Sequence, residues 1–343
     1  MSLRQASTQA IVSVVSLAIG LAVTPAFSWC IVDDTRPAGT TVDLSPLRAS
    51  MADSPQGLVE DGIDEATGAT AALERSVSLD GLAHGLTVTG SIASDSELKG
   101  LLRDFQKTIG AFEASGGKAA VVIRCLDTGS SLAYNQDELM YPASSIKGPY
   151  VISLYQALER GTLEGAGSDG EKAATIARLA KPVIVSSDND SYIKLHDAFG
   201  GEVFADWCAK QGICQAGSDA YERLCCKDTH YPFVTCAELA TMWQAGNGYL
   251  ASGSDKAGEL RGFFEKRKES PLREGVGELA TTISKAGWYP KDTIDKLAAT
   301  VDAGIVTQDG RTYVVAIMTN APADLDRLAA LVPGIWTARA VLM

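Results

Sequence analysis

The chain has 343 residues, 46% of them hydrophobic, and a formal net charge of -12 from 42 acidic and 30 basic side chains. That length gives room for one or two domains and a large core. The acidic balance leaves no basic face for phosphates and excludes nucleic acid as a partner.

Residues 1–28 read as a secretory signal peptide. Arg4 supplies the positive start, Ala10 to Val23 the apolar run, and Ala26-Phe27-Ser28 a small-x-small cleavage site. The alternative is an uncleaved anchor helix, the one route to membrane contact, because nothing later in the chain is long and apolar enough to span a bilayer. Export places the protein outside the cytoplasm, secreted or in the cell envelope, where thiols are oxidised. Of the seven cysteines, Cys30, Cys125, Cys208, Cys214, Cys225, Cys226 and Cys236, five fall between 208 and 236. No C-x-x-C or H-E-x-x-H occurs, so disulfides stapling a loop-rich segment are expected ahead of a zinc site at His230, Cys225 and Cys226. No metal or cofactor is expected.

Residues 29–93 read as a disordered acidic linker, with His84 a solvated residue inside it. From 30 to 95 there is no Phe, Trp or Tyr, and such a stretch buries too little apolar area to offset its ordering entropy. Residues 94–343 read as one domain. Ser94 with Glu97 makes a capping box, and Leu98, Leu101, Leu102, Phe105, Ile109 and Phe112 share a helical face that ends at Gly116-Gly117. Ala119 to Leu126 and Ser131 to Tyr134 read as strands around an Asp127-Thr128-Gly129 turn. A helical subdomain covers about 150–278, with a second capping box at Thr235 and Glu238. The period then changes to strands at Thr281–Lys285, Ala298–Val306 and Arg311–Met318, with a tight hairpin at Gln308-Asp309-Gly310. Ala323 to Leu342 reads as a helix interrupted at Pro333-Gly334. The expected fold is α+β, an α/β sandwich. Its five-stranded antiparallel sheet is flanked by N- and C-terminal helices, with the all-helical subdomain inserted and a cleft at the seam.

Three short motifs fall where this fold would gather them. The first is Ser144-Ser145-Ile146-Lys147, ahead of an apolar helical run at Ile146, Tyr150, Val151, Leu154 and Leu158. The i,i+3 spacing sets a hydroxyl beside an amine able to take its proton. The second is Ser187-Asp188-Asn189 and the third Lys285-Ala286-Gly287, at intervals of 43 and 98 residues.

Together these motifs resemble the penicillin-recognising serine hydrolases, nearest to class A β-lactamases, whose pattern is S-x-x-K, S-D-N and K-T-G. The likeness spans about residues 96–343. It implies Ser144 as the nucleophile that forms an acyl-enzyme and Lys147 as its base or relay. Ser187 becomes the proton donor to the departing nitrogen, and Asn189 the group that holds the substrate's side-chain amide. Lys285, Ala286 and Gly287 become the substrate-binding strand, and the Ser144 and Trp288 N–H groups the oxyanion hole. It also implies Glu222 as the base that activates the deacylating water, and a monomer with a small-molecule β-lactam or a D-Ala-terminated peptide as substrate.

Three positions depart from the family pattern. Ala286 stands where the family has Thr or Ser. Pro149 follows Lys147 closely, so the helix starts late or bends. Cys226 stands where an Asn would help Glu222 hold water. Three functions stay open: β-lactam hydrolysis, cell-wall D-Ala-D-Ala peptidase activity, and a non-catalytic envelope binding or sensor domain. A Ser-His-Asp hydrolase is disfavoured, since G-x-S-x-G is absent and the folded part offers only His196 and His230.

Overall fold

A computed structural model describes residues 73–91, 93–226, 230–290 and 295–343. The chain divides into two units, 1–64 and 65–343, and the described residues lie in the second. The signal segment, the linker as far as residue 72, and Cys30 lie outside the described residues.

Two strands open the fold where a linker is expected. β1 (Glu74–Val77) and β2 (Leu86–Thr89) form a hairpin, and β2 pairs with β4 (Ser131–Tyr134) from Leu86↔Tyr134 to Thr89↔Ser131. Val77, Leu79, Leu86 and Val88 are buried. Four aliphatic side chains anchored on an existing sheet supply the apolar area that composition alone does not reveal. His84, at the hairpin, is exposed as expected.

Helices α1 (Asp95–Leu101) and α2 (Arg103–Ala114) follow, split at Leu102, with the Ser94–Glu97 capping box formed. After β3 (Ala119–Cys125) and β4 come α3 (Lys147–Glu159), α4 (Asp169–Ser186), α5 (Asn189–Phe199), α6 (Glu202–Lys210), α7 (Asp219–Cys225), α8 (Cys236–Leu250), α9 (Asp255–Glu265) and α10 (Pro271–Val276). Strands β5 (Thr281–Tyr289), β6 (Ala299–Gln308) and β7 (Arg311–Thr319) precede α11 (Leu325–Thr337). Among the described residues the sheet has seven strands, not the expected five, in the order β1-β2-β4-β3-β7-β6-β5, and every pairing is antiparallel. The two extra strands are the hairpin from the former linker.

Each face of the sheet carries its own core. On one, Phe105, Ile109, Phe112, Leu328 and Trp336 cover Val121, Ile123, Val315 and Ile317. On the other, Tyr150, Leu154, Trp243 and Phe264 cover Ala120, Val122, Ala303 and Ala316. α11 runs through Pro333-Gly334 without the expected interruption. A Cβ on Gly334 would overlap the Thr108 hydroxyl. The glycine thus admits α2 at close range, and that packing holds the helix against the proline's lost hydrogen bond.

The expected disulfides are not formed among the described cysteines. Cys125, Cys208 and Cys236 sit in apolar cores as small hydrophobes, and Cys236 Sγ donates weakly to the Ala316 carbonyl at 3.4 Å. No group of His, Cys, Asp and Glu among the described residues comes together to hold a metal ion.

Candidate active site

The site forms along β5, the edge strand farthest from the β1–β2 hairpin. Ser144 lies in a short 3-10 turn, Ala143–Ile146, and α3 begins only at Lys147. Pro149 therefore falls in the first turn of α3, where its missing N–H breaks no intrahelical bond. In a 3-10 turn residues three apart eclipse one another, so Ser144 and Lys147 share a face. Ala143 holds the turn at φ 46, a strained value for a residue with a Cβ.

β5 presses on this turn. A Cβ at Gly287 would lie 2.6 Å from both the Ser144 nitrogen and the Pro142 carbonyl oxygen. Only glycine lets the strand approach the Ser144 backbone that closely.

The Ser187-Asp188-Asn189 motif is a helix junction. Ser187 ends α4 in the left-handed region, φ 58 and ψ 31, and Asp188 caps α5 by accepting from the Ser191 N–H at 2.8 Å. This tight reversal aims three groups at two lysines. Lys147 Nζ donates to the Ser187 carbonyl at 2.8 Å and to Asn189 Oδ1 at 2.6 Å. Lys285 Nζ donates to the Ser187 hydroxyl at 2.9 Å and to the Ala286 carbonyl at 2.6 Å.

Both amines are buried, and these four acceptors are neutral oxygens. Burial, then the charge of Lys285, lowers the Lys147 pKa to about 6, against an opposing pull from Asp188. Burial, then Arg267, lowers Lys285 to about 7, while Asp302 and Glu269 pull it back up. A neutral Lys147 amine spends its two N–H bonds on the two oxygens and keeps a lone pair for a proton.

Behind the strand the sheet carries a second polar cluster. By strand alternation Ala286 faces away from Lys285 and Gly287. Ala286 is fully buried and sits opposite Asp302 on β6. Its side chain is thus packed against the sheet, while its carbonyl accepts from Lys285 Nζ. Arg267 donates to Ser284 Oγ at 3.1 Å, Ser270 Oγ at 3.0 Å, the Phe264 carbonyl at 2.8 Å, the Thr282 carbonyl at 3.0 Å, and the Thr282 hydroxyl. Asp302 Oδ2 accepts from the Leu272 N–H at 3.0 Å.

Trp288 brings its ring to 6.0 Å from Lys285 Nζ, next to Gly287 on the strand. Glu222 is exposed on α7. The structure thus joins Lys147, Ser187, Asn189 and Lys285 by hydrogen bonds, with Trp288 beside Lys285 and Gly287 against the Ser144 backbone. It sets Ala286 behind the strand and Glu222 on a solvent-facing helix position.

Two tyrosines escaped the sequence reading. The Tyr192 and Tyr231 rings lie 5.3 and 5.8 Å from Lys147 Nζ, and the Tyr231 hydroxyl donates to Asn189 Oδ1 at 3.1 Å. Tyr192 follows Asn189 by three helical residues, a spacing legible in advance. Tyr231 has no local signal, because a long-range bridge between Met140 and Val234 brings its segment in.

A Ser-x-x-Lys turn ahead of a helix, a Ser-Asp-Asn junction and a lysine-bearing edge strand, on an antiparallel sheet with a helical block, define a serine hydrolase of the penicillin-recognising class. Residues 101–335 match the Beta-lactamase enzyme family, and the chain belongs to that family. Among solved structures it is similar to PBP-A, in a mutant form as the acyl-enzyme with penicillin G. That likeness has 20% identity over 71% of this chain and 97% of the other, with a TM-score of 0.53. A β-lactamase from Sphaerobacter thermophilus is 22% identical over 71% of this chain and 98% of its own, TM-score 0.53. One from Chitinophaga pinensis is 18% identical over 69% and 99%, TM-score 0.52. At these identities the likeness speaks for the fold. No curated protein matches the chain.

Proposed function

We propose that the protein is an exported serine acyl-hydrolase that opens a β-lactam amide through an acyl-enzyme on Ser144. One observation carries the reading: the buried Lys147 amine, neutral near pH 7, is held between the Ser187 carbonyl and Asn189 Oδ1.

The steps follow from these groups. The Ser144 oxygen bonds to the substrate carbonyl carbon as its proton passes to the Lys147 lone pair. The Ser144 and Trp288 N–H groups hold the oxyanion, worth about 3 kcal/mol per donor. The C–N bond breaks, and the departing nitrogen takes the Ser187 proton, which Lys147 replaces. Ser187 suits this relay because its oxygen already accepts from Lys285, leaving its own hydrogen free to move. Water then bonds to the acyl carbon as its proton passes to Lys147, the ester C–O bond breaks, and Lys147 returns the proton to the Ser144 oxygen.

A second reading is a penicillin-binding D-Ala-D-Ala carboxypeptidase or transpeptidase. The exposure of Glu222 favours it, since a solvated carboxylate is poorly placed to activate water at a buried ester. Intact-protein mass followed over time after mixing with penicillin G tests both. An adduct that forms and decays within seconds to minutes supports hydrolysis, and one that persists supports the peptidase. Absence of any adduct with penicillins, cephalosporins and activated esters points instead to a binding or sensor domain. Export is checked by the N-terminus of the protein recovered outside the cytoplasm, expected near Ser28.

A further inference from the structure

Asn189 has two tasks in the reading above, and its amide must point one way to perform both. Oδ1 must face Lys147, and Nδ2 must face the exposed side where a substrate amide would arrive. A primary amide can flip, and Lys147 alone would hold it by one bond. The structure supplies a second holder.

The Tyr231 hydroxyl donates to the same Oδ1 at 3.1 Å that Lys147 meets at 2.6 Å. Two donors on one oxygen leave no place there for the amide's own N–H groups. The phenol cannot swing away easily, because its segment is tied at several points. The Tyr192 hydroxyl donates to the His230 carbonyl at 2.7 Å, Arg223 donates to the Phe233 carbonyl, and Val234 exchanges two backbone bonds of 3.0 Å with Met140. The ring also packs on Tyr192 and Tyr141, at centroid distances of 5.2 and 6.3 Å. Burial, then the charge of Asp188, pushes the phenol's pKa up, so it remains a donor throughout the working range of the lysines.

We propose that Tyr231 is a positioning residue that locks the Asn189 amide, oxygen toward Lys147 and nitrogen toward the cleft, for substrates bearing a side-chain amide. This rests on the acylation reading of Ser144, Lys147 and Asn189. The same hydroxyl competes with Lys147 for Oδ1, so it also disfavours the ammonium. The other groups facing Lys147 are Lys285 on β5, Asp188 at the start of α5, and the Tyr192 phenol.

Tyr231→Phe removes the donor and keeps the ring. Plateau acylation rates, taken from full pH profiles so that a shifted Lys147 does not enter, are measured with penicillin G, which carries a side-chain amide, and with penicillanic acid, which lacks it. The variant is expected to lose about tenfold with penicillin G, the size of one neutral hydrogen bond, and less than about twofold with penicillanic acid. An equal loss with both probes, or no loss, overturns the proposal, because a merely structural role does not distinguish them. A second readout needs no substrate. In protein with 13C-labelled lysine, the titration that vanishes in Lys147→Gln is expected to move upward in Tyr231→Phe. A titration that stays in place overturns the proposal even if penicillin G acylates Ser144. A titration that moves in a chain that no β-lactam acylates upholds Tyr231 and sinks the β-lactam reading instead.

Discussion

Two buried polar clusters sit back to back across β5, and they differ in how their cations are satisfied. In front, Lys147 and Lys285 bond to neutral oxygens of Ser187, Asn189 and Ala286. Behind, Arg267 is ringed by five hydrogen bonds, and the buried Asp302 shares the cluster. Burial lowers all three cations, Lys147 to about 6, Lys285 to about 7 and Arg267 to about 10. The rear cation remains charged near neutrality and serves as scaffold. The front amines titrate near neutrality, where a proton can be taken and returned. One strand therefore separates a fixed charge from a movable one.

Lys147→Met should break the front cluster most severely. Acylation by penicillin G should fall about a thousandfold, within the usual range for losing a general base. Stability should change in the opposite direction. The folded pKa of about 6 lies below the ordinary 10.5, so between those values the unfolded chain binds more protons and wild-type stability rises with pH. Urea unfolding from pH 6 to 10 should show that rise reduced in Lys147→Met, with the remainder belonging to Lys285 over its own window from about 7 upward. A variant with the wild-type slope would contradict the buried neutral amine.

Breaking the rear cluster should cost stability first. Arg267→Met removes the ringed cation and leaves the Asp302 carboxylate buried with less support. A loss of about 3 kcal/mol in urea unfolding is expected. Acylation per folded molecule should fall less than for Lys147→Met.

The pH dependence of acylation sharpens the contrast without mutation. The acid limb should fall near 6, as Lys147 is protonated, and the alkaline limb near 7, as Lys285 loses its charge. A flat rate from pH 5 to 9 would deny the front lysines their roles. The smallest effect belongs to the exposed carboxylate: Glu222→Gln should leave both the formation and the decay of the penicillin adduct within about twofold, in the range of surface substitutions.

Much of the site was legible because local spacing encodes it. Ser144 and Lys147 share one turn, Ser187 and Asn189 one helix junction, and Gly287 reads as a close approach before any neighbour is known. The exposure of Glu222 was not legible. A carboxylate at a plausible distance along the chain says nothing of which way α7 turns it. Tyr231 was missed for the converse reason, since a loop tyrosine carries no signal until the Met140–Val234 bridge places it. The β1–β2 hairpin was hidden by composition: its strands are four residues each, and they gain order from β4 rather than from themselves.

The order of helices and strands from residue 94 onward, the Ser-x-x-Lys turn and the lysine-bearing strand were determined by the sequence alone, since periodicity, caps and short-range spacing act within a few residues. Tertiary structure alone decided that the β1–β2 hairpin extends the sheet, that Ala286 is buried and Glu222 exposed, and that the two lysines titrate near neutrality. Burial and proximity across the chain are properties of packing, and no local pattern records them.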